Sequence, residues 1–287
     1  MATFYNQATL SFGRTVTSSN ITEGEVLGGV TLTKTAVTTD YGPGDGISYV
    51  ITVTNNGATP VNGLTLTDNL GAYTLPGGTT AVTPLTYVEG SLLYYVDGVL
   101  TEAPEVVATD NLTIGGINVP AGGNATIIYE ARANEFAPLG AASAITNTIT
   151  ADGGVCDGEL SDSATVNTRD EARLTIAKAI CPAVITCSGE VTYTLIVQNT
   201  GNTPAVATDN VIIRDTFTPA LSNITVELNG EVLEAGVGYT YNEETGEFAT
   251  TEGAVPVPAA TYSRDPVTGI VTTTPGVAVI TVNGTIG

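Results

Sequence analysis

Apolar and polar residues alternate with period two through ISYVITVTN (47–55) and VTYTLIVQN (191–199). Similar runs of Thr, Val and Ile recur along the chain, parted by clusters of Gly, Pro, Asn and Asp. Side chains on a strand alternate between faces, so these runs predict antiparallel strands with one buried side, and their number predicts an all-β sandwich architecture. No stretch carries a convincing helical period.

The pattern is duplicated. TLTKTAVTTDYGPGDGISYVITVTNNGATP (31–60) lies over TIAKAICPAVITCSGEVTYTLIVQNTGNTP (175–204) without a gap and with 8 identities in 30, among them Lys34/Lys178, Tyr49/Tyr193, Asn55/Asn199, Gly57/Gly201 and Pro60/Pro204. The match continues through LTLTD (64–68) and VIIRD (211–215), through VDGVL and LNGEVL, and through PAGGNATIIY (120–129) and PGVAVITV (275–282). It predicts two tandem Ig-like β-sandwich domains, 25–168 and 169–287. The first copy runs on through AITNTITADGG and SDSATVNTRDEARLTIAK, whereas the second reaches Gly287 without these closing strands. Their counterpart stands at the other end: FYNQATLSF (4–12) resembles AITNTITAD (144–152), and SSNITEGEVLGGVTLTK (18–34) fits over DSATVNTRDEARLTIAK (162–178) at the 144-residue offset of the repeat.

A sandwich without its closing strands has an open groove and unpaired strand edges, which proteins ordinarily cover. Residues 1–24 are therefore expected to form a donor-strand arm. Rather than travel back past the first domain, the arm completes the second domain of a neighbouring subunit, with Phe4, Asn6, Ala8, Leu10 and Phe12 on the inserted face. Such a head-to-tail contact grows into an open filament unless its geometry closes a ring, so the expected partner is a second copy of the chain.

Strand parity also turns three polar residues of each repeat inward. Lys34 is in phase with Val30 and Leu32, and Lys178 with Leu174 and Ile176; Asp68 is in phase with Leu64 and Leu66, and Asp215 with Val211 and Ile213. Asn147 falls in phase with Ile145 and Ile149, and Asn6 with Phe4 and Ala8. A bare buried ammonium is costly. Burial also lowers a lysine pKa and frees a nucleophilic amine, a partly protonated Asp polarises a carboxamide, and packing holds the reactants at high effective molarity. The arrangement predicts isopeptide bonds formed with loss of ammonia: Lys34 to Asn147 beside Asp68, and Lys178 to Asn6 of the neighbouring subunit beside Asp215. A hydrogen-bonded Lys–Asp pair near the end of the sandwich is the plainer alternative.

Composition narrows the function. With 8 Lys+Arg against 29 Asp+Glu the formal net charge is -21, which opposes nucleic acid and anionic membrane, both held mainly by Lys and Arg on phosphate. There is no His, so a His-based triad or His metal site is excluded. Hydrophobic residues make up 42% and charged residues 13%, enough apolar material for packed cores rather than disorder. No apolar run is long enough to predict a membrane span, and Met1 leads into the polar ATFYNQATLSF rather than into a signal sequence. The chain holds only two lysines, and the repeat puts both at one equivalent place.

Cys181 and Cys187, in ICPAVITC, predict a loop disulfide, leaving Cys156 as a free thiol or an intermolecular link. The acidic groups at Asn242, Glu243, Glu244 and Glu247, and at Asp152, Asp157 and Glu159, lack calcium-loop spacing and read as solvated surface. Matches to N-x-[ST] at Asn111 and Asn223 are expected by chance in so Thr-rich a chain. No metal and no cofactor are expected. Without a GxSxG, a Walker A motif or a recognisable catalytic carboxylate pair, neither is enzymatic activity.

GDGISYVITVTNNGATPVNGLTLTD (44–68), GEVTYTLIVQNTGNTPAVATDNVIIRD (189–215), the two lysine strands and the closing NQATLSF and NTITA pieces resemble the Gram-positive surface and envelope repeats called domain of unknown function eleven. The resemblance covers nearly the whole chain. It implies tandem Ig-like β-sandwiches on extracellular surfaces, without a defined enzymatic activity. The Lys, Asp and Asn arrangement is also similar to that of collagen-adhesin-type pilin domains, which form internal isopeptides. The chain departs from ordinary surface repeats in having no visible signal or wall-sorting motif, which favours a free polymer. The expected function is a structural subunit of an extracellular filament on a cell or spore surface. The alternative is a monomeric cell-surface adhesin or ligand-binding repeat module, in which the missing strands reflect only a boundary. A hydrolase with an acidic site has no support in the spacing.

Overall fold

The computed structural model describes residues 2–26, 29–153, 160–184 and 189–286. The protein is all-β, and the helical content of the described residues is one 3-10 turn, Ala207–Asp209. None of these residues forms a helix long and apolar enough to cross a membrane. The chain divides into two compact units: Met1–Pro138 with Ala144–Asn167, and Leu139–Ser143 with Thr168–Gly287.

The N-terminal arm folds on itself. β1 (Ala2–Asn6) pairs antiparallel with β4 (Thr22–Val26), and β2 (Thr9–Phe12) with β3 (Thr15–Ser18). The expected donor strand is thus one half of a hairpin, with Ala8 between its two short ladders. Phe4 lies across Gly24, its cross-strand partner, in space that a Cβ at position 24 would occupy. Phe4, Tyr5, Leu10, Phe12, Val16 and Ile21 are all exposed.

The remainder of unit 1 is built from β5 (Val30–Ala36), β6 (Asp40–Tyr41), β7 (Gly46–Asn55), β8 (Val61–Asp68), β9 (Tyr73–Thr74), β10 (Ala81–Val82), β11 (Leu85–Tyr87), β12 (Leu93–Val96), β13 (Val99–Thr101), β14 (Glu105–Ala108), β15 (Leu112–Val119), β16 (Asn124–Ala133), β17 (Ala144–Asp152) and β18 (Leu160–Thr168). One sheet runs β13-β12-β16-β7-β5, with β11 also on β16; the other runs β14-β15-β8-β17-β18-β6. Period-two alternation buries Ile47, Tyr49, Ile51 and Val53 of β7 and Leu64, Leu66 and Asp68 of β8. Each apolar side chain so buried stabilises the fold by about 1.5–3 kcal/mol. The β12–β13 hairpin turns on Asp97-Gly98, both at positive φ, the pair that a two-residue turn of this hand requires.

Unit 2 contains β19 (Leu174–Cys181), β20 (Glu190–Asn199), β21 (Arg214–Thr216), β22 (Ser222–Leu228), β23 (Glu231–Val232), β24 (Tyr239–Tyr241), β25 (Glu247–Thr250), β26 (Thr261–Arg264), β27 (Val271–Thr274) and β28 (Gly276–Thr285). Its five-stranded sheet, β19-β20-β28-β22-β23, repeats the order β5-β7-β16-β12-β13 of unit 1. Its second sheet holds three strands, β21-β25-β24, and the two units differ in kind here. In unit 1, β8 is flanked by β15 and β17; in unit 2 the equivalent VIIRD segment, expected to be a strand over 211–215, is ladder-paired only at Arg214–Thr216, and with β25. A strand needs a neighbour for its N–H and C=O groups, and among the described residues of unit 2 nothing stands where β17 and β18 stand in unit 1. Cys181 is exposed at the end of β19, whereas Cys187, its expected disulfide partner, Cys156, Asp157 and Glu159 lie outside the described residues.

The shared Asn-x-Gly motif has the same task in both copies. Asn55 Nδ2 donates to the Thr59 and Pro120 carbonyls at 2.7 and 3.0 Å, while its Oδ1 accepts from Gly57 N–H at 2.9 Å. Asn199 Nδ2 donates to the Thr203 and Pro258 carbonyls at 2.8 and 3.0 Å, and its Oδ1 accepts from the Gly201 and Arg173 amides, each at 2.9 Å. Gly201 is needed because a Cβ there would overlap the Glu171 carbonyl. Removing so many hydrogen bonds from a buried carboxamide is costly, so Asn199→Ala is expected to lower the stability of unit 2 by about 3 kcal/mol in urea unfolding.

Candidate functional site

Four strands of unit 1 bring Lys34 (β5), Asp68 (β8), Tyr129 (β16) and Asn147 (β17) into one buried cluster. Lys34 Nζ meets Asp68 Oδ2 at 2.5 Å, and both side chains are fully buried. The Tyr129 hydroxyl donates to the same Oδ2 at 2.6 Å, and accepts from Lys34 Nζ at 3.3 Å and from Asn147 Nδ2 at 2.9 Å. Asp68 Oδ1 accepts the Leu70 amide at 3.0 Å. Asp68 is thus linked to Asn147 by way of Tyr129. Sheet register explains the convergence: Tyr129 pairs with Tyr49, Lys34 with the neighbouring Ile51, and Asp68 with Ile149, two residues along the same face from Asn147.

The aromatic rings complete the pocket. Tyr49 and Tyr129 stack with centroids 5.4 Å apart, and Lys34 Nζ stands 4.8 and 5.8 Å from their centres. The Tyr49 hydroxyl and Asn147 Oδ1 are buried without a hydrogen bond. The Lys34 backbone N–H donates to Asp162 Oδ2 at 2.6 Å, tying β5 to β18 of the opposite sheet. Burial pulls the Lys34 ammonium down from 10.5 to about 8, against the pull of Asp68, so a large fraction is neutral amine in mildly alkaline solution. Burial pushes both phenols up and keeps them protonated. Chemically the cluster offers a nucleophilic amine, a carboxamide, and a carboxylate and a phenol able to move protons between them. Tyr129 was not among the residues singled out from the sequence. Its phase with Ala125 and Ile127 in NATIIYE marked it as inward, but nothing in the sequence gave its register against Tyr49.

The equivalent place in unit 2 is half built. Lys178 Nζ lies 2.5 Å from Asp215 Oδ2, off the hydrogen-bonding direction, and 4.6 and 5.1 Å from the ring centres of Tyr193 and Phe217. These two side chains are 39% and 16% exposed, against 0% for both Lys34 and Asp68. Beside them Leu174 and Ile176 are 38% and 56% exposed, whereas their counterparts Val30 and Leu32 are 9% and 8% exposed. A cleft of about 270 Å³ opens there, lined by Leu174, Ile176, Val197, Val211 and Ile213 among others. Val282 takes the register position opposite Tyr193 that Tyr129 takes opposite Tyr49. Asn6, the expected carboxamide partner of Lys178, is exposed on the arm, opposite Thr22.

No protein-family model matches the chain, and no curated protein does. Among solved structures it is similar to BcpA, the major pilin subunit of Bacillus cereus, at 12% identity and a TM-score of 0.37, over 96% of this chain and 73% of that one. It is also similar to the pilus backbone protein RrgB of Streptococcus pneumoniae, at 13% identity and a TM-score of 0.35, over 86% of this chain and 55% of that one. A third similarity is to the group B streptococcus pilus 2b backbone protein, at 17% identity and a TM-score of 0.33, over 85% of this chain and 79% of that one.

Proposed function

We propose that the chain is a structural subunit of an extracellular filament, polymerising head-to-tail as the arm of one copy completes unit 2 of the next. The observation that carries this is the contrast between equal positions of the repeat: Val30, Leu32 and Lys34 are buried in the unit that holds the β17–β18 hairpin, while Leu174, Ile176 and Lys178 are exposed in the unit whose described residues hold none. The arm supplies a hairpin whose NQATLSF resembles the NTITA of β17, with uncovered apolar residues at Phe4, Leu10 and Phe12. Insertion would bury these against Leu174 and Ile176 at about 1.5–3 kcal/mol per fully buried side chain, and would set a strand beside Val211 and Ile212, which lie outside any ladder.

Two covalent bonds reinforce the assembly in this proposal. Lys34 Nζ attacks Asn147 Cγ within unit 1, and Lys178 Nζ attacks Asn6 Cγ of the docked arm; each reaction yields one amide and one ammonia. The net charge of -21 then serves as a coat that keeps finished filaments apart. Ile176→Glu puts a charge into the cleft while altering a side chain that the free subunit leaves exposed. It is expected to give folded subunits that form no filaments in negative-stain micrographs. Filaments of ordinary length from this variant would defeat the proposal.

A further inference from the structure

Amide formation between Lys34 and Asn147 needs more than a nucleophile. After the amine adds to Asn147 Cγ, its nitrogen must lose a proton, and the carboxamide nitrogen must gain one to leave as ammonia. Asp68 is placed for the first transfer, with Oδ2 at 2.5 Å from Lys34 Nζ. For the second, its hydrogen bonds run to Lys34, Tyr129 and the Leu70 amide. The hydroxyl that joins the departing nitrogen to Asp68 is that of Tyr129, at 2.9 Å from Asn147 Nδ2 and 2.6 Å from Asp68 Oδ2.

We infer that the Tyr129 phenol is a catalytic proton relay, handing on to Asn147 Nδ2 the proton that Asp68 collects from Lys34. This rests on the cross-link proposed above. The neutral amine forms the Nζ–Cγ bond, and one Nζ proton passes to Asp68 Oδ2. Tyr129 then gives its hydroxyl proton to Nδ2 and takes up the proton held by Asp68. The Cγ–Nδ2 bond breaks with its electron pair leaving on ammonia. Nothing is oxidised or reduced, and Asp68 and Tyr129 finish as they began. The relay belongs to unit 1, because unit 2 keeps the lysine, the carboxylate and the Tyr49 counterpart but has Val282 in register where this phenol stands.

Full-length chain made by cell-free synthesis and sampled by intact-mass measurement tests the relay, since the linked species is lighter by one ammonia. Tyr129→Phe keeps the ring and removes only the hydroxyl, and is expected to slow linkage about 100-fold. With 3-fluorotyrosine at position 129, close in size but a stronger acid, the rate is expected to change several-fold, which a purely structural phenol would not cause. A Phe variant that links at the wild-type rate, or a fluorotyrosine chain indistinguishable from wild type, would overturn the relay. Should the Phe variant misfold, the fluorotyrosine comparison decides alone. A wild-type chain that folds and never loses ammonia would instead overturn the cross-link itself.

Discussion

Removing residues 1–24 is expected to abolish filaments altogether. The truncated chain keeps every strand from β5 onward, so unit 1 retains its buried cluster, while the exposed Leu174 and Ile176 of unit 2 lose the segment proposed to cover them. Size-exclusion chromatography should then give monomers with a weakened unit 2. A synthetic peptide of residues 1–24 is expected to restore that unit, because a ligand that binds only the folded state at about 100 times its Kd stabilises it by about 2.7 kcal/mol. If Asn6 reacts with Lys178, the peptide should become fixed to the chain with loss of one ammonia and survive hot detergent. An Asn6→Ala peptide should bind and wash off. Truncated chain that still grows into filaments would exclude the arm as the joining element.

Lys34→Met is expected to be the most destabilising single substitution in unit 1. It leaves the wholly buried Asp68 carboxylate without its cation, a defect that costs about 3–5 kcal/mol. It also removes the nucleophile, and a cross-link closing a loop of about 100 residues is worth about 4.7 kcal/mol in the chain-entropy treatment of disulfides. Two further chains separate these effects. Lys34→Met with Asp68→Leu replaces the ion pair by apolar groups and should recover the first loss but not the second. Asn147→Ala keeps the pair and should lose the cross-link and the hydrogen bond to Tyr129. Unfolding of Lys34→Met within about 1 kcal/mol of wild type would mean that neither effect operates.

Face was legible in the sequence, and height was not. Period two placed Lys34, Asp68 and Asn147 on the buried side because each sits in a run whose apolar members, such as Val30 and Leu32 or Leu64 and Leu66, fix the parity unambiguously. Parity does not say which residues of different strands stand opposite one another, since that depends on ladder register and on bulges such as those between β8 and β15. Parity therefore does not single out Tyr129, whose partnership with Tyr49 is a matter of register. The VIIRD segment has the composition of a strand, but pairing is a property of two segments: its ladder with β25 begins only at Arg214, Ile213 is bonded to Thr250, and Val211 and Ile212 lie outside any ladder. In the arm, the two segments that resemble the closing strands pair with each other, β1 with β4 and β2 with β3.

In the filament proposed above, the placement of the two lysines would have a mechanical consequence. Lys34 lies on β5, which opens the first sandwich, and Asn147 on β17, the last strand but one of the same unit. With both bonds in place, a pull along the polymer enters a subunit at Asn6, follows the backbone to Lys34, steps across to Asn147 and runs on to Lys178, where it passes to the next copy. Residues 35–146 and everything beyond 178 hang beside that route as untensioned loops. Stretching would therefore be resisted by covalent bonds in two short backbone segments, 6–34 and 147–178, and most hydrogen-bonded strands would be shielded from the force that would otherwise peel them apart.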